Sequence, residues 1–556
     1  MPVTADAPTI QRRVWLLSLG TLVSRLLGMA RETLLAATFD GPSTDAYFIA
    51  WRVPNALRAL LAEGALSAAF VPVFSATLVK GREAFTAEGP ARGNATAALP
   101  EGDRVALAEA HRDALREAVA YVRGASLLVL LPLSALGVLF ARPILRVLAG
   151  DFGGDQARFE LSASLLAWLF PYIFFMGSAA VGIGVLQALG RFGALAFAPA
   201  LLNVAYLLAP FLFVPWCLRA GLPAIHGMAL GALLGGVLQL LALVPSLRRA
   251  GMLPRPRLDL RHPAVRRVAR LLAPVTVGLA IYQVDVMLSN RFLAGLPTNS
   301  ASYFSYAQRL ADIPQGLFVV SIASSFLPEL SRAVATGDRD QGSHLLGRML
   351  RLSAFVAVPV AVLLATYGEA VVPVVYGYGR FHAQGPAGVL EVARSLRWQA
   401  ANVALLAFVR QLTAAYAAAE DTRTPVLVSA VDLGVFVLLA LWLRGPLGHV
   451  GVAAALTGST LVQLALLAWR PAVKVPWGSV LPMVAKVLLA SAVVGLAARG
   501  LVSVGGFHRL TLGARLGALG GGVVLAGVYL LAAWVLRIEE LRTAVDRRLR
   551  RRRSTA

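Results

Sequence analysis

The chain has 556 residues, 58% of them apolar and only 15% charged, with a mean hydropathy of +0.70 and a formal net charge of +23. A soluble chain of this size carries about 25% charged residues, so a large hydrophilic catalytic domain is excluded. A single cysteine, Cys217, leaves no disulfide framework and no thiolate metal cluster, and the seven histidines show no ligand spacing.

The first twenty residues, MPVTADAPTIQRRVWLLSLG, offer no small-residue cleavage site after their apolar run and read as a short tail before a first spanning helix. From there the chain is expected to be an all-α integral membrane protein with about fourteen spans. These lie at 14–39, 45–78, 117–141, 160–188, 193–218, 223–247, 267–293, 299–331, 346–367, 390–419, 425–443, 448–469, 479–498 and 516–536. Leu161–Gly190, Phe192–Leu218, Gly221–Leu247 and Gly445–Trp469 contain no Asp, Glu, Lys or Arg.

With the N-terminus in the cytoplasm, the arginine-rich connections fall on one side: 79–104, 248–270, 331–344 and 470–474, together with the tail RTAVDRRLRRRR. The poorer ones, 219–226, 293–302, 376–388 and 444–449, fall on the other. This positive-inside bias and an even number of spans both place the two termini in the cytoplasm. The net charge thus belongs to loops and tail, and nucleic acid is not an expected partner.

The chain also repeats itself. Shifted by 256 residues, AYFIAWRV at 46–53 lies on SYFSYAQRL from Ser302, and Phe70, Pro72 and Ser75 meet Phe326, Pro328 and Ser331. LLPLSALGVLFA around Pro132 resembles VAVPVAVLLATY around Pro359 at a shorter offset. Two six-helix lobes running in the same direction follow, within 1–250 and 251–474, and 475–556 adds a helix pair and a basic tail. Parallel repeats of this kind suit a transporter, in which two lobes rock about a central site.

Charge inside the apolar segments needs a reason. The first segment is about 39 Å long, and Arg25 lies near its middle. A central Arg or Asp costs about 2.5–3.5 kcal/mol on insertion scales, while a leucine returns only ~0.3–0.6. Arg25 and Glu32 share a helix face, with Arg31 about 120° away. In the second segment Asp45, Arg52 and Glu63 fall within about 20° of one line, with Arg58 off it. The eighth adds Tyr306, Arg309 and Asp312, and the tenth adds Arg410.

One reading makes these groups ion pairs that lock helices together. The other starts from the count: six arginines (25, 31, 52, 58, 309, 410) against four carboxylates (32, 45, 63, 312). Surplus positive charge in a membrane needs water or an anion, and the planar guanidinium fork fits phosphate. A hydrated cationic cavity for a phosphorylated ligand is expected.

SRLLGMARETLLAATFDGPSTDAYFIAWRVPNALRALLAEGALSAAFVPVFS, at 24–75, closely resembles the N-terminal signature of the MurJ (MviN) lipid II flippases, a family of the multidrug/oligosaccharidyl-lipid/polysaccharide exporter superfamily. LLAWLFPYIF, GRFGALAFAPALLN, SYAQRLADIPQGLF and AAEDTRTPV resemble later segments of that family in order, so the resemblance covers nearly the whole chain. It implies two six-helix lobes, and a thirteenth and fourteenth helix forming a groove for a lipid tail. It implies movement of undecaprenyl-diphosphate-linked peptidoglycan precursor from the inner to the outer leaflet of the bacterial cytoplasmic membrane, by a monomer with lipid II as partner. The family's cavity arginines match Arg25, Arg31, Arg58 and Arg309, and an acidic position matches Asp45; Arg52 and Glu63 join them as candidate substrate-binding residues. Glu32 stands where the family often has Asp, and Gln308 where it often has Asp beside the helix-eight arginine. No cofactor is implied beyond coupling to a monovalent cation or to the membrane potential. Some members hold sodium between helices seven, eleven and twelve; Asp285 and Asp432 are acids at suitable depth here, but Ala440 occupies the matching eleventh-helix ligand position.

An enzyme reading would rest on Asp338-Arg339-Asp340, a loose metal-binding pattern of glycosyltransferases, in a short polar loop with no nucleotide-binding domain around it. The alternative transporter reading is a related exporter of another polyprenyl-diphosphate-linked oligosaccharide or of small drugs. Drug exporters normally have twelve helices and lack this arginine set.

Overall fold

The computed structural model describes residues 7–60, 65–80, 101–191, 193–507 and 510–542. Glu63, most of the loop at 79–104 and most of the basic tail lie outside these residues. Backbone packing divides the chain into two compact units: 1–31 with 46–291, and 32–45 with 292–556. These divisions do not follow the expected lobe boundaries. Residues 251–291 pack with the first unit, and the C-terminal helix pair is part of the second.

The first unit contains α1 (Ala7–Thr38) up to Arg31, α2 (Gly41–Arg58) from Ala46, α3 (Ala65–Lys80), α4 (Glu101–Leu139), α5 (Ala141–Ala149) and α6 (Gln156–Leu169). It continues with α7 (Pro171–Ala188), α8 (Gly193–Leu212), α9 (Val214–Arg219), α10 (His226–Arg249) and most of α11 (Pro263–Ala294). α10 packs on α7 and α8, and α7 also packs on α3 and α4. The expected span at 160–188 is two helices joined at Phe170, because Pro171 brings no N–H and suits a first helical position. The span at 193–218 likewise breaks at Phe213. Cys217 is buried in α9. α5 buries Ala141, Leu145 and Ala149 at four-residue spacing and leaves Arg142 and Arg146 exposed, as an amphipathic helix does.

In the second unit α12 (Ser300–Pro314) runs through a π-helical turn, Gln315–Val319, into α13 (Val320–Ala335). The expected single span at 299–331 is interrupted there because Pro314 cannot donate to the helical ladder. α14 (Arg339–Tyr376) is the longest helix of this unit; α15 (Gly379–His382), α16 (Gly385–Ala418), α17 (Arg423–Leu447), α18 (His449–Trp469), α19 (Trp477–Gly505) and α20 (Leu512–Val535) follow. Asp338 accepts from Gln341 N at 2.9 Å and caps α14. This gives the Asp338 of the glycosyltransferase-like pattern a structural task. No group of three metal-ligating side chains occurs among the described residues. Before α17, Asp421 accepts from Thr424 N, Thr424 Oγ1 and Arg423 N, which holds its carboxyl below the usual carboxylate range.

α19 and α20 are anchored to α14 rather than appended to it. Tyr367, Val487, Val494, Phe507, Leu525 and Tyr529 form one buried cluster between the three helices. Tyr529 Oη donates to Phe355 O at 2.7 Å and Tyr367 Oη to Ala518 O at 2.9 Å. Near one end Arg351 pairs with Glu540 at 3.1 Å and donates to Ser479 Oγ at 3.1 Å. Near the other, Arg515 donates to the Gly377 carbonyl and lies 4.2 Å over the Tyr378 ring. Their outer faces expose Leu488, Leu489, Leu496, Leu519, Val523 and Leu531, as lipid-facing helices do.

Among the described residues, nine helical stretches are long and apolar enough to cross a membrane. Each coincides with one of the fourteen expected spans, and shorter apolar helices at Ala69–Val79 and Phe197–Leu212 match two more. The remaining three expected spans, 14–39, 267–293 and 299–331, are helical and contain Arg25, Asp285 and Arg309 respectively.

Candidate functional site

Arg25, Arg31, Arg52 and Arg58 belong to the first unit. α1 is held to α8 by Asn203, whose Nδ2 donates to Ser24 O at 2.9 Å and to Ser24 Oγ at 3.3 Å. One residue on, Arg25 is half-buried, and no hydrogen bond or ion pair joins it to another described residue. Arg31 lies 4.9 Å over the Tyr206 ring. That ring belongs to a buried aromatic group: Tyr47 Oη donates to Tyr206 Oη at 2.8 Å, and Trp51 sits 5.8 Å from Tyr206 and 5.4 Å from Tyr172. Attraction between a guanidinium and the face of an aromatic ring fixes where the guanidinium sits. Arg58 Nε donates to Asn55 Oδ1 at 3.2 Å, one helical turn back. Arg52 is half-buried and engaged with neighbours.

The second unit holds Glu32, Asp45 and Arg309. Glu32 is 3% exposed and pairs with Arg309 Nη2 at 3.1 Å. The Arg309 side chain keeps 38% of its surface open, so the pair leaves part of the guanidinium accessible. Asp45 is fully buried, and its Oδ1 accepts from Ser302 N at 2.8 Å. Ser302 is in the first turn of α12, where backbone N–H groups lack helical partners, so Asp45 caps that helix from α2. Asn299 precedes α12 with φ of 77°, and its side chain fills the space over Gly41 that a Cβ would take. Asp312 and Arg410 are exposed. Asp285, on α11, and Asp432, on α17, are half-buried and belong to different units, and Ala440 is fully buried.

The sequence located the arginines but not the aromatic group beneath Arg31. Its one local sign is Tyr47 and Trp51 at helical i, i+4 spacing; Tyr172 and Tyr206 join from distant helices.

An α-helical chain of many apolar spans, with half-buried guanidiniums held within them, has the build of a membrane transporter. Its fold is similar to a solved structure described as lipid II flippase MurJ in an inward closed conformation (TM-score 0.71, 21% identity, 94% of this chain and 98% of that one). It is also similar to an inward-facing multidrug resistance transporter of the MATE family and MOP superfamily (TM-score 0.60, 14% identity, 80% of this chain and 93% of that one). A family model described as lipid II flippase MurJ matches residues 35–514. The chain is 32% identical over 84% of its length to a probable lipid II flippase MurJ of Bdellovibrio bacteriovorus, of which it covers 84%. It is 31% identical over 80% of its length to lipid II flippase MurJ of Burkholderia cenocepacia, of which it covers 81%. The chain belongs to the MurJ family.

Proposed function

We propose that the chain is a lipid II flippase, a transporter and not an enzyme, which moves lipid-linked peptidoglycan precursor from the inner to the outer leaflet of the bacterial cytoplasmic membrane. The observation that carries this reading is the set of arginines within the apolar helices of a chain matched by the family model over residues 35–514. Arg25, Arg31, Arg52, Arg58 and the open part of Arg309 bind the diphosphate and neighbouring anionic groups of lipid II. Asp45 supports the site by fixing the start of α12, and Glu63 contributes a further acid. The lobes 1–250 and 251–474 alternate access, and 475–556 seats the lipid tail on α19 and α20. Both termini are cytoplasmic, the monomer is the working unit, and coupling to a monovalent cation, with Asp285 and Asp432 as the candidate acids, or to the membrane potential drives the cycle.

Complementation tests this. Expressed in a bacterium depleted of its own lipid II flippase, the chain restores growth and exposure of lipid II on the outer leaflet. Robust membrane expression without either result overturns the proposal.

A further inference from the structure

α4 and α10 each change character at one point. α4 carries charges of both signs from Glu101 to Arg123 and none from Gly124 to Leu139. α10 is uncharged from Gly227 to Leu247 and ends on Arg248 and Arg249. In membrane helices such a change marks the level of the lipid head groups. At that level the first unit contains a cavity of about 360 Å³ walled by α4, α7 and α10, within the ~300–1,000 Å³ range of small-ligand sites.

The lining is amphipathic. Leu127, Val181, Leu240 and Val244 are among its apolar walls, and Arg123 and Arg248 are the charged side chains on it among the described residues. Ser178 Oγ, also on the wall, is buried with no hydrogen-bond partner among the described residues. The extended segment after α10 forms part of the rim through Met252 and Leu253. Arg123 Nη1 donates to Pro254 O, and Arg257 N donates to Ala120 O at 3.0 Å. This segment can lie so close to α4 because Gly124 has no Cβ to meet the Arg257 carbonyl.

We propose that this cavity binds an anionic diacyl phospholipid, one acyl chain filling the slot and the head-group phosphate lying against Arg123 and Arg248. Two guanidiniums at head-group depth, above an apolar slot, complement an amphipathic anion. Free phosphate would leave the walls unused, and a zwitterionic lipid carries a cation that weakens its hold on the same guanidiniums. The site shares no residue with the arginines of α1 and α2.

Native mass spectrometry of the purified full-length chain, titrated with dioleoylphosphatidylglycerol, tests this. One tight adduct is expected, weakened about tenfold or more in R123A/R248A, one decade being 1.4 kcal/mol. It is retained in R123K/R248K and lost in S178W, which fills the slot. Where S178W does not yield monodisperse protein, V244F fills the slot from α10 instead. An adduct that survives the folded slot-filling variant, equal binding of dioleoylphosphatidylcholine, or displacement of the lipid by inorganic phosphate alone overturns the proposal.

Discussion

Arg309 and Arg31 hold their charge in two different ways, and substitution separates them. Arg309 pairs with Glu32, so R309A takes a cationic partner from a buried carboxylate. Arg309 is itself more than a third open to solvent, so the loss is screened to about 1–2 kcal/mol. R309A/E32Q should recover that stability in a thermal melt while leaving lipid II flipping impaired. Recovery of flipping by the double variant would make the pair purely structural. Arg31 lies over the Tyr206 ring. Y206F keeps the ring and should preserve activity; Y206L removes a cation–π contact of about 0.5–2 kcal/mol and should weaken lipid II binding several-fold. Equal binding by both variants would show that the aromatic group does not position Arg31. The arginines were legible in the sequence because charge in an apolar run is costly and conspicuous. The aromatic support and the Glu32–Arg309 pair were not, since they join residues far apart in the chain.

At the scale of helices, Asp45 and Arg351 each secure an element from outside it. Asn at position 45 still offers an oxygen to Ser302 N, whereas Ala offers nothing. D45N should therefore melt close to wild type, and D45A about 1–2 kcal/mol lower, the usual worth of an N-cap. If both melt alike, the cap carries no weight. Arg351 is 16% exposed and its partner Glu540 8%. R351A should cost about 3 kcal/mol, because it leaves a buried carboxylate uncompensated, and should make the C-terminal helix pair more sensitive to protease. R351M/E540Q should regain most of that protection; a double variant as labile as the single would refute the ion pair as the fastening. Removing 479–556 altogether would strip the partners of Tyr367 and Phe355 from α14. Helix existence was readable because a bilayer demands long apolar runs. The breaks at Phe170, Phe213 and 315–319 were not, because hydrophobicity continues through them. Proline is no guide either: Pro132, Pro245 and Pro359 sit inside unbroken helices.

For the molecule as a whole, the class of fold followed from composition and loop charge. The division into compact units did not, because it depends on packing. The unit boundary cuts α1 and α2, leaving 32–45 with the C-terminal residues. Repeat symmetry, which compares segments along the chain, carries no information about such an exchange.

Cys217 is the only thiol in the chain and is wholly buried. Maleimide reagents should therefore leave the wild-type protein unmodified in intact cells, and the native chain becomes its own blank. A cysteine placed at Gly478 or Gly445, exposed glycines near helix ends with room for a Cβ, would then report its side of the membrane alone. A membrane-impermeant maleimide should mark G445C from outside and reach G478C only after the cells are opened. The reverse pattern would invert the proposed topology.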